Sequence, residues 1–223
     1  MPITRVRGKQ LDELSGDDLR AMVAGYARVV VDLGTGDGRF AYHYAKAHPD
    51  AFVIAIDPVR ENMREFSARA SGKPARGGLP NILYAVASVE MLPPELCGLA
   101  GELHVVLPWG SLMRGLVLGD EVVLGGVASL LKTRGTARIV LNTRIFEDPV
   151  PLEARDLPEV TPAYVRERLA PRVHACGLVL REAREFTADE VAALPSTWAK
   201  RLSHRTPPPS VLIVLERERD DAG

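Results

Sequence analysis

The segment DLGTGDGRF, residues 32–40, sets three glycines at alternate positions, with Asp32 just before them and Asp37 among them. Gly34, Gly36 and Gly38 carry no Cβ, so the backbone can turn sharply there and come close to a ligand. Asp57 ends the next apolar run, FVIAID (52–57). An acid in that place accepts hydrogen bonds from ribose hydroxyls. A dinucleotide fingerprint has G-x-G-x-x-G spacing and leaves a helix N-terminus free for pyrophosphate. Here the spacing is G-x-G-x-G, and the two carboxylates would repel a pyrophosphate. They suit an ammonium group, such as that on the methionine part of S-adenosylmethionine. A tight turn without a ligand and a nicotinamide enzyme are the competing readings.

The second segment is HVVLPWGSLMRG, residues 104–115, where Pro108, Trp109 and Gly110 break an apolar strand. Methyl transfer from a sulfonium needs an aligned lone pair, and the enzyme contributes mostly orientation and exclusion of water. An exocyclic amine acceptor benefits from an Asn or Asp at this strand end, but Leu107-Pro108-Trp109-Gly110 offers neither. A carbon acceptor needs a thiolate, and neither Cys97 nor Cys176 lies beside this turn. A ring nitrogen of a purine, with its ready lone pair, fits best. Pulling a base from its stack costs a few kcal/mol. Aromatic stacking returns roughly 1–3 kcal/mol per base. The chain's other tryptophan, Trp198, lies in PSTWAKRLSHR (195–205), and the pair is expected to sandwich a flipped base. The competing reading makes each a packing residue.

These residues need a sheet edge to meet on. The runs 29–33, 52–57, 82–87, 102–107 and 136–141 read as buried strands separated by helical segments. Met63, Phe66 and Ala70 have helical spacing, and 119–133 reads as a helix despite Gly125–Gly126. Such alternation predicts an α/β fold with a mainly parallel sheet and helices on both faces. Residues 3–14 are expected to form a hairpin around Gly8, with Ser15 capping a helix that runs to Gly25. Thr161–Pro162 opens a helix to about Cys176, 178–186 is strand-like, and Thr187 with Glu190 has capping-box spacing. A last strand follows PPPS, within 207–216. One domain over 1–223 is expected, with 1–25 as an extension and 143–160 and 187–209 as linkers over the active edge.

Composition bounds the function. The chain has 223 residues, 46% hydrophobic and 26% charged, with net charge −1, so no global field attracts polyanions. Local basic groups must serve: Arg60, Arg64, Arg69, Lys73 and Arg76 in one stretch, Lys200, Arg201 and Arg205 in another. No run is long enough for a membrane span, and MPITRVRGKQ has no apolar signal core. Two cysteines imply no disulfide framework and a cytoplasmic setting, and the five histidines lack metal-ligand spacing.

The pattern at 32–40 is similar to motif I of the class I methyltransferases, whose fold is Rossmann-like. Taken with KPARGGLPNILY, GELHVVLPWGSLMRG and STWAKRL, the chain resembles the aminoglycoside-resistance 16S ribosomal RNA methyltransferases of the kanamycin–apramycin type, from about Val29 to Leu215. That resemblance implies transfer of the methyl from S-adenosylmethionine to N1 of adenine 1408, in the helix 44 decoding site of the 30S subunit. It implies cofactor contacts from Asp32, Gly34, Asp57, Val89, Glu90, Val106, Leu107, Ser111 and Ser196, joined by Gly36 from the turn itself. It gives Trp109 and Trp198 the target adenine and Arg201 and Arg205 the RNA, and it puts the stretch Arg64 to Arg76 on the docking surface. A monomer is expected. The tRNA guanine-N7 methyltransferases, which carry a D-P-W-P turn, are the second reading. A small-molecule methyltransferase and a non-catalytic RNA-binding module are the others.

Overall fold

The computed structural model describes residues 2–143, 155–195 and 210–218. Nine strands form one sheet: β1 (Ile3–Arg7), β2 (Gln10–Leu14), β3 (Arg28–Leu33), β4 (Ala51–Asp57), β5 (Ile82–Val86), β6 (Ala100–Val106), β7 (Leu131–Asn142), β8 (Leu178–Phe186) and β9 (Ser210–Arg217). Their order is β2-β1-β5-β4-β3-β6-β7-β9-β8. The five central strands, β5 to β7, run parallel. The four outer ones pair antiparallel, so the sheet is mixed rather than parallel throughout. The expected hairpin forms, and it joins the sheet edge through the pairing of β1 with β5. Its tip is tied down by the Gly8 N–H donating to Ser67 Oγ at 2.9 Å.

The central strands are apolar on both sides because both sides are covered. On one face, Val31, Ile54, Leu103, Val105 and Ile139 meet α1 (Gly16–Val23), α4 (Gly110–Leu118), α5 (Glu121–Leu130) and α7 (Ala170–Ala175). On the other, Val30, Val53 and Tyr84 meet α2 (Arg39–Ala47) and α3 (Arg64–Ala70). Met63, Phe66 and Ala70 are buried there, as their spacing requires. The capping boxes form at Ser15–Asp18 and at Thr187–Glu190, the latter opening α8 (Ala188–Ala193). Thr161 caps α6 (Pro162–Tyr164), which widens into a π turn over Val165–Leu169 before α7. Pro171 lacks the N–H that an α-helix would use at that point, and the Ala170 N–H bonds back to Val165 O. No helix among the described residues is long and apolar enough to cross a membrane.

Two expectations need correction. The region 107–118 contains a nine-residue helix, α4, that Pro108 and Gly110 conceal in the sequence. The helix expected over 119–133 is α5 alone, and β7 begins already at Leu131.

The glycine pair inside α5 divides into two cases. A Cβ on Gly126 would lie 2.3 Å from the carbonyl oxygen of Val89, so the helix can approach the end of β5 only without a side chain there. Gly125 faces open space. Gly125→Ala should raise unfolding free energy by about 0.5–1 kcal/mol through helix propensity. Gly126→Ala should lower it by about 1–3 kcal/mol through the clash. Urea denaturation of the two variants checks this; effects of the same sign would contradict the packing described.

Candidate active site

The carboxyl ends of β3, β4 and β6 open onto one cleft of about 690 Å³. Its floor is the glycine turn. The N–H groups of Gly34 and Thr35 both donate to Ile56 O, at 2.9 and 3.0 Å, and the Gly38 N–H closes the turn on Thr35 O at 3.0 Å. Gly34, Gly36 and Gly38 have φ of 71°, 59° and 78°, left-handed values that favour glycine. A side chain on Gly36 would project into open space at the cleft, where a ligand would lie.

Two carboxylates frame this floor. Asp57 accepts from the Gly36 N–H on Oδ2 and from the Val59 N–H on Oδ1, both at 2.9 Å. Burial pushes its pKa up, against the pull of those N–H groups. Asp57 therefore holds the turn as well as facing the cleft. Asp32 is only 2% exposed. Burial pushes it up to about 6, opposed by the Thr35 hydroxyl, His104 and the Ala41 backbone N–H. The first turn of α2 thus spends an N–H on a protein carboxylate. In a dinucleotide enzyme that helix end would face a pyrophosphate.

The third wall comes from β6. Leu107 has φ of 51°, in the left-handed region, which costs a non-glycine residue about 1–2 kcal/mol. Packing holds it there: its N–H donates to Val140 O at 2.9 Å, and its side chain sits with Val140, Phe186, Val191 and Leu212. The twist at Leu107 sends Pro108 and Trp109 out over the cleft, and the Trp109 side chain is left 47% exposed on its rim. Directly after it α4 starts, with no side chain capping its N-terminus, and Gly110, Ser111 and Leu112 line the cleft. This helix end is the element the sequence reading missed. Its readable signs are Met113, Leu116 and Val117 buried at helical spacing, and Gly119 closing the helix in a left-handed conformation.

The structure brings together Asp32, Gly34, Gly36, Asp57, Val106, Leu107, Trp109 and Ser111 in this one cleft. It adds Thr35, Phe40, Val59 and Asn62, which the sequence reading did not single out. Val89 and Glu90 do not line it. They sit in the turn after β5, one strand over, with Val89 buried against Gly126 and Glu90 exposed. Ser196, Trp198, Arg201 and Arg205 lie outside the described residues. Arg64, Arg69, Lys73 and Arg76 are exposed. Arg64 is 3.3 Å from Glu61, and the Arg69 guanidinium lies 4.9 Å over the Tyr42 ring. The turn from Val106 to Leu112 brings no carboxylate, amide or imidazole to the cleft, and neither cysteine lines it.

The family described as NpmA, 16S rRNA (adenine(1408)-N(1))-methyltransferase, matches residues 4–216. A 16S rRNA (adenine(1408)-N(1))-methyltransferase of Streptoalloteichus hindustanus is 43% identical over 199 residues, 89% of this chain and 91% of its own. Among solved structures, the 16S rRNA (adenine(1408)-N(1))-methyltransferase of Catenulisporales acidiphilia, a tryptophan-to-alanine variant with its cosubstrate SAM, superposes with a TM-score of 0.93 at 35% identity over 99% of each chain. The antibiotic-resistance methyltransferase Kmr superposes with a TM-score of 0.83 at 40% identity, over 98% of this chain and 100% of its own. A match that runs from the hairpin to the last strand, on a sheet edge already shaped for a nucleoside, places this chain in the 16S rRNA (adenine(1408)-N(1))-methyltransferase family.

Proposed function

We propose that the chain transfers the methyl group of S-adenosylmethionine to N1 of adenine 1408 in the 16S rRNA of the 30S subunit, and that this protects the decoding site from aminoglycosides. The observation that carries the reading is Trp109: an exposed indole on the rim of a cofactor-sized cleft whose neighbouring turn offers no acid–base group.

The residues present fit the cofactor. The cleft falls within the usual volume range for small-molecule sites. Its glycine floor leaves the space that a side chain at Gly36 would fill. Asp57 faces the cleft where ribose hydroxyls would bond. Asp32 at the head of the turn suits the ammonium group, and the uncapped N-terminus of α4 beside Ser111 suits the carboxylate of the same amino acid. Ser196 would complete the site. When bound, the sulfonium supplies an electrophilic methyl carbon and departs as a neutral thioether.

The chain's own work is orientation. Trp109 holds the purine by its face, with Trp198 as the opposite wall, so that the N1 lone pair points into the cleft. Two such contacts offset most of the few kcal/mol spent on unstacking the base. Enclosing the base between the two indoles would exclude water from the line of attack. No proton has to be removed, because the ring nitrogen attacks with a lone pair it already has. The bond formed is N1–CH₃, the bond broken is S–CH₃, and the positive charge passes from sulfur to the purine. A cation and a methyl in a pocket that receives polycationic drugs oppose their binding by charge and by shape. Arg64, Arg69, Lys73 and Arg76, with Arg201 and Arg205, would meet the phosphates, each contact adding salt-sensitive affinity. The protein acts as a monomer and needs no metal.

Reverse transcription of 16S RNA after incubation of 30S particles with protein and S-adenosylmethionine tests the function. A stop one nucleotide before adenine 1408 is expected, and Trp109→Ala should reduce its rate of appearance roughly five- to hundredfold through lost stacking. Methylation of free tRNA with no stop on 30S would contradict the reading. Cofactor affinity should also depend on pH. The Asp32 carboxyl, pushed up to about 6, holds its proton below that pH, while a bound ammonium favours the ionised form. Affinity should therefore weaken as pH falls through about 6, by up to about tenfold per pH unit below it. Calorimetric titrations across that range check the slope, and a flat profile would count against the assignment of Asp32.

A further inference from the structure

Beneath α2, on the sheet face that carries Asp32, lies a buried polar cluster to which the methyl transfer assigns no role. His104 Nε2 is 2.6 Å from Glu102 Oε1, and the Tyr44 hydroxyl donates to Glu102 Oε2 at 3.0 Å. The imidazole packs against two neighbouring rings, with centroids 5.1 Å from Phe40 and 5.3 Å from Tyr44, which are themselves 5.9 Å apart. In the β3–β6 pairing His104 stands opposite Asp32, and neighbours in register project from the same face. Phe40, the ring on one side of the imidazole, is itself part of the cleft wall. The cluster thus borders the cleft at two places, beside Asp32 in the strand register and against the ring of Phe40.

We propose that His104 is a positioning residue for cofactor binding: fixed by Glu102 and Tyr44, its imidazole supports the Asp32 carboxylate that receives the cofactor's ammonium. The proposal rests on the cofactor reading given above. It would act through Asp32 and touch neither the cofactor nor the base.

The surroundings favour this role. Around Asp32, burial and the nearby Asp57 disfavour charge, while the Thr35 hydroxyl, His104 and the Ala41 N–H favour it. The Tyr84 phenol also faces Asp32, from β5. His104 in turn meets Glu102 on its own strand, Tyr44 from α2, Asp32 on β3 and its register partner Arg138 on β7. Arg28 and Asp50 complete the shell around Glu102 and Tyr44. Hydrogen bonding to His104 holds the Glu102 carboxyl down at about 2, so the ring is gripped by a permanent carboxylate. Without the imidazole, burial and Asp57 are less opposed, and Asp32 keeps its proton to higher pH.

Calorimetry of the full chain with S-adenosylmethionine, from about pH 5.5 to about pH 8.5, tests this on His104→Gln, which keeps a donor for Glu102 but no ring. The variant should bind about three- to tenfold more weakly near pH 6.5 and match the wild type near pH 8.5, because the acid limb moves to higher pH. Weakening by the same factor at every pH, or no change, would overturn the proposal. Should His104→Gln fail to fold, Glu102→Gln carries the same expectation, since the ring then loses its anchoring charge. A wild type that binds no cofactor would instead remove the cofactor reading itself. A wild-type acid limb that both variants reproduce would remove only the role of His104.

Discussion

A carboxylate held inside a protein works against the fold, and the ligand edge of this chain is organised around one. In the folded state Asp32 binds its proton more tightly than the ordinary value of 3.8 would allow, up to about 6. Its contribution to stability is therefore fully present below 3.8 and is lost as pH rises through about 6. At neutral pH the ionised side chain costs the fold about 3 kcal/mol. The neighbours act to limit that cost: the hydroxyl of Thr35, a backbone N–H at the start of α2, and His104 across the strand pair. A bound cation at the same place would relieve it further. Stability given up at a ligand edge is a common signature of a site built for binding.

The opposite wall shows the same exchange between strain and placement. Leu107 sits in a left-handed conformation that a glycine would adopt without cost, yet its side chain is needed among Val140, Phe186, Val191 and Leu212. The packing on α8 and β9 holds the backbone turned, and the turn puts an indole in solvent at the rim of the cleft. Between Asp32 and Trp109 the chain places what methyl transfer to a ring nitrogen requires. On the proposed reading one end would hold the charged cofactor and the other a flat base, and the turn from Val106 to Leu112 brings no acid or base to the cleft between them.

Much of this was legible in the residues. The glycine spacing, the strand-end acids Asp32 and Asp57 and the break at Pro108–Trp109 are local features, and each falls in the cleft where the reading put it. The helix cap at Ser15 and the capping box at Thr187 were equally local and equally readable. What escaped depended on partners far apart in sequence. The start of α4 is masked by Pro108 and Gly110, and its helical pattern becomes evident only when Met113, Leu116 and Val117 are seen buried. Whether the outer strands run parallel or antiparallel depends on which edge the hairpin and β9 choose, and apolar runs do not encode that. The His104–Glu102–Tyr44 cluster joins two elements, and nothing in the spacing of these residues announces it.

The central claim is that the base leaves its helix and lies on Trp109 with its N1 directed at the methyl carbon. The most direct measurement is a structure of the protein bound to a 30S particle with a non-reactive analogue of S-adenosylmethionine. The account predicts adenine 1408 turned out of helix 44, its face against the indole of Trp109 and N1 in line with the position of the sulfonium methyl. An adenine still stacked within the RNA helix, or a different atom of the base facing the cofactor, would contradict it.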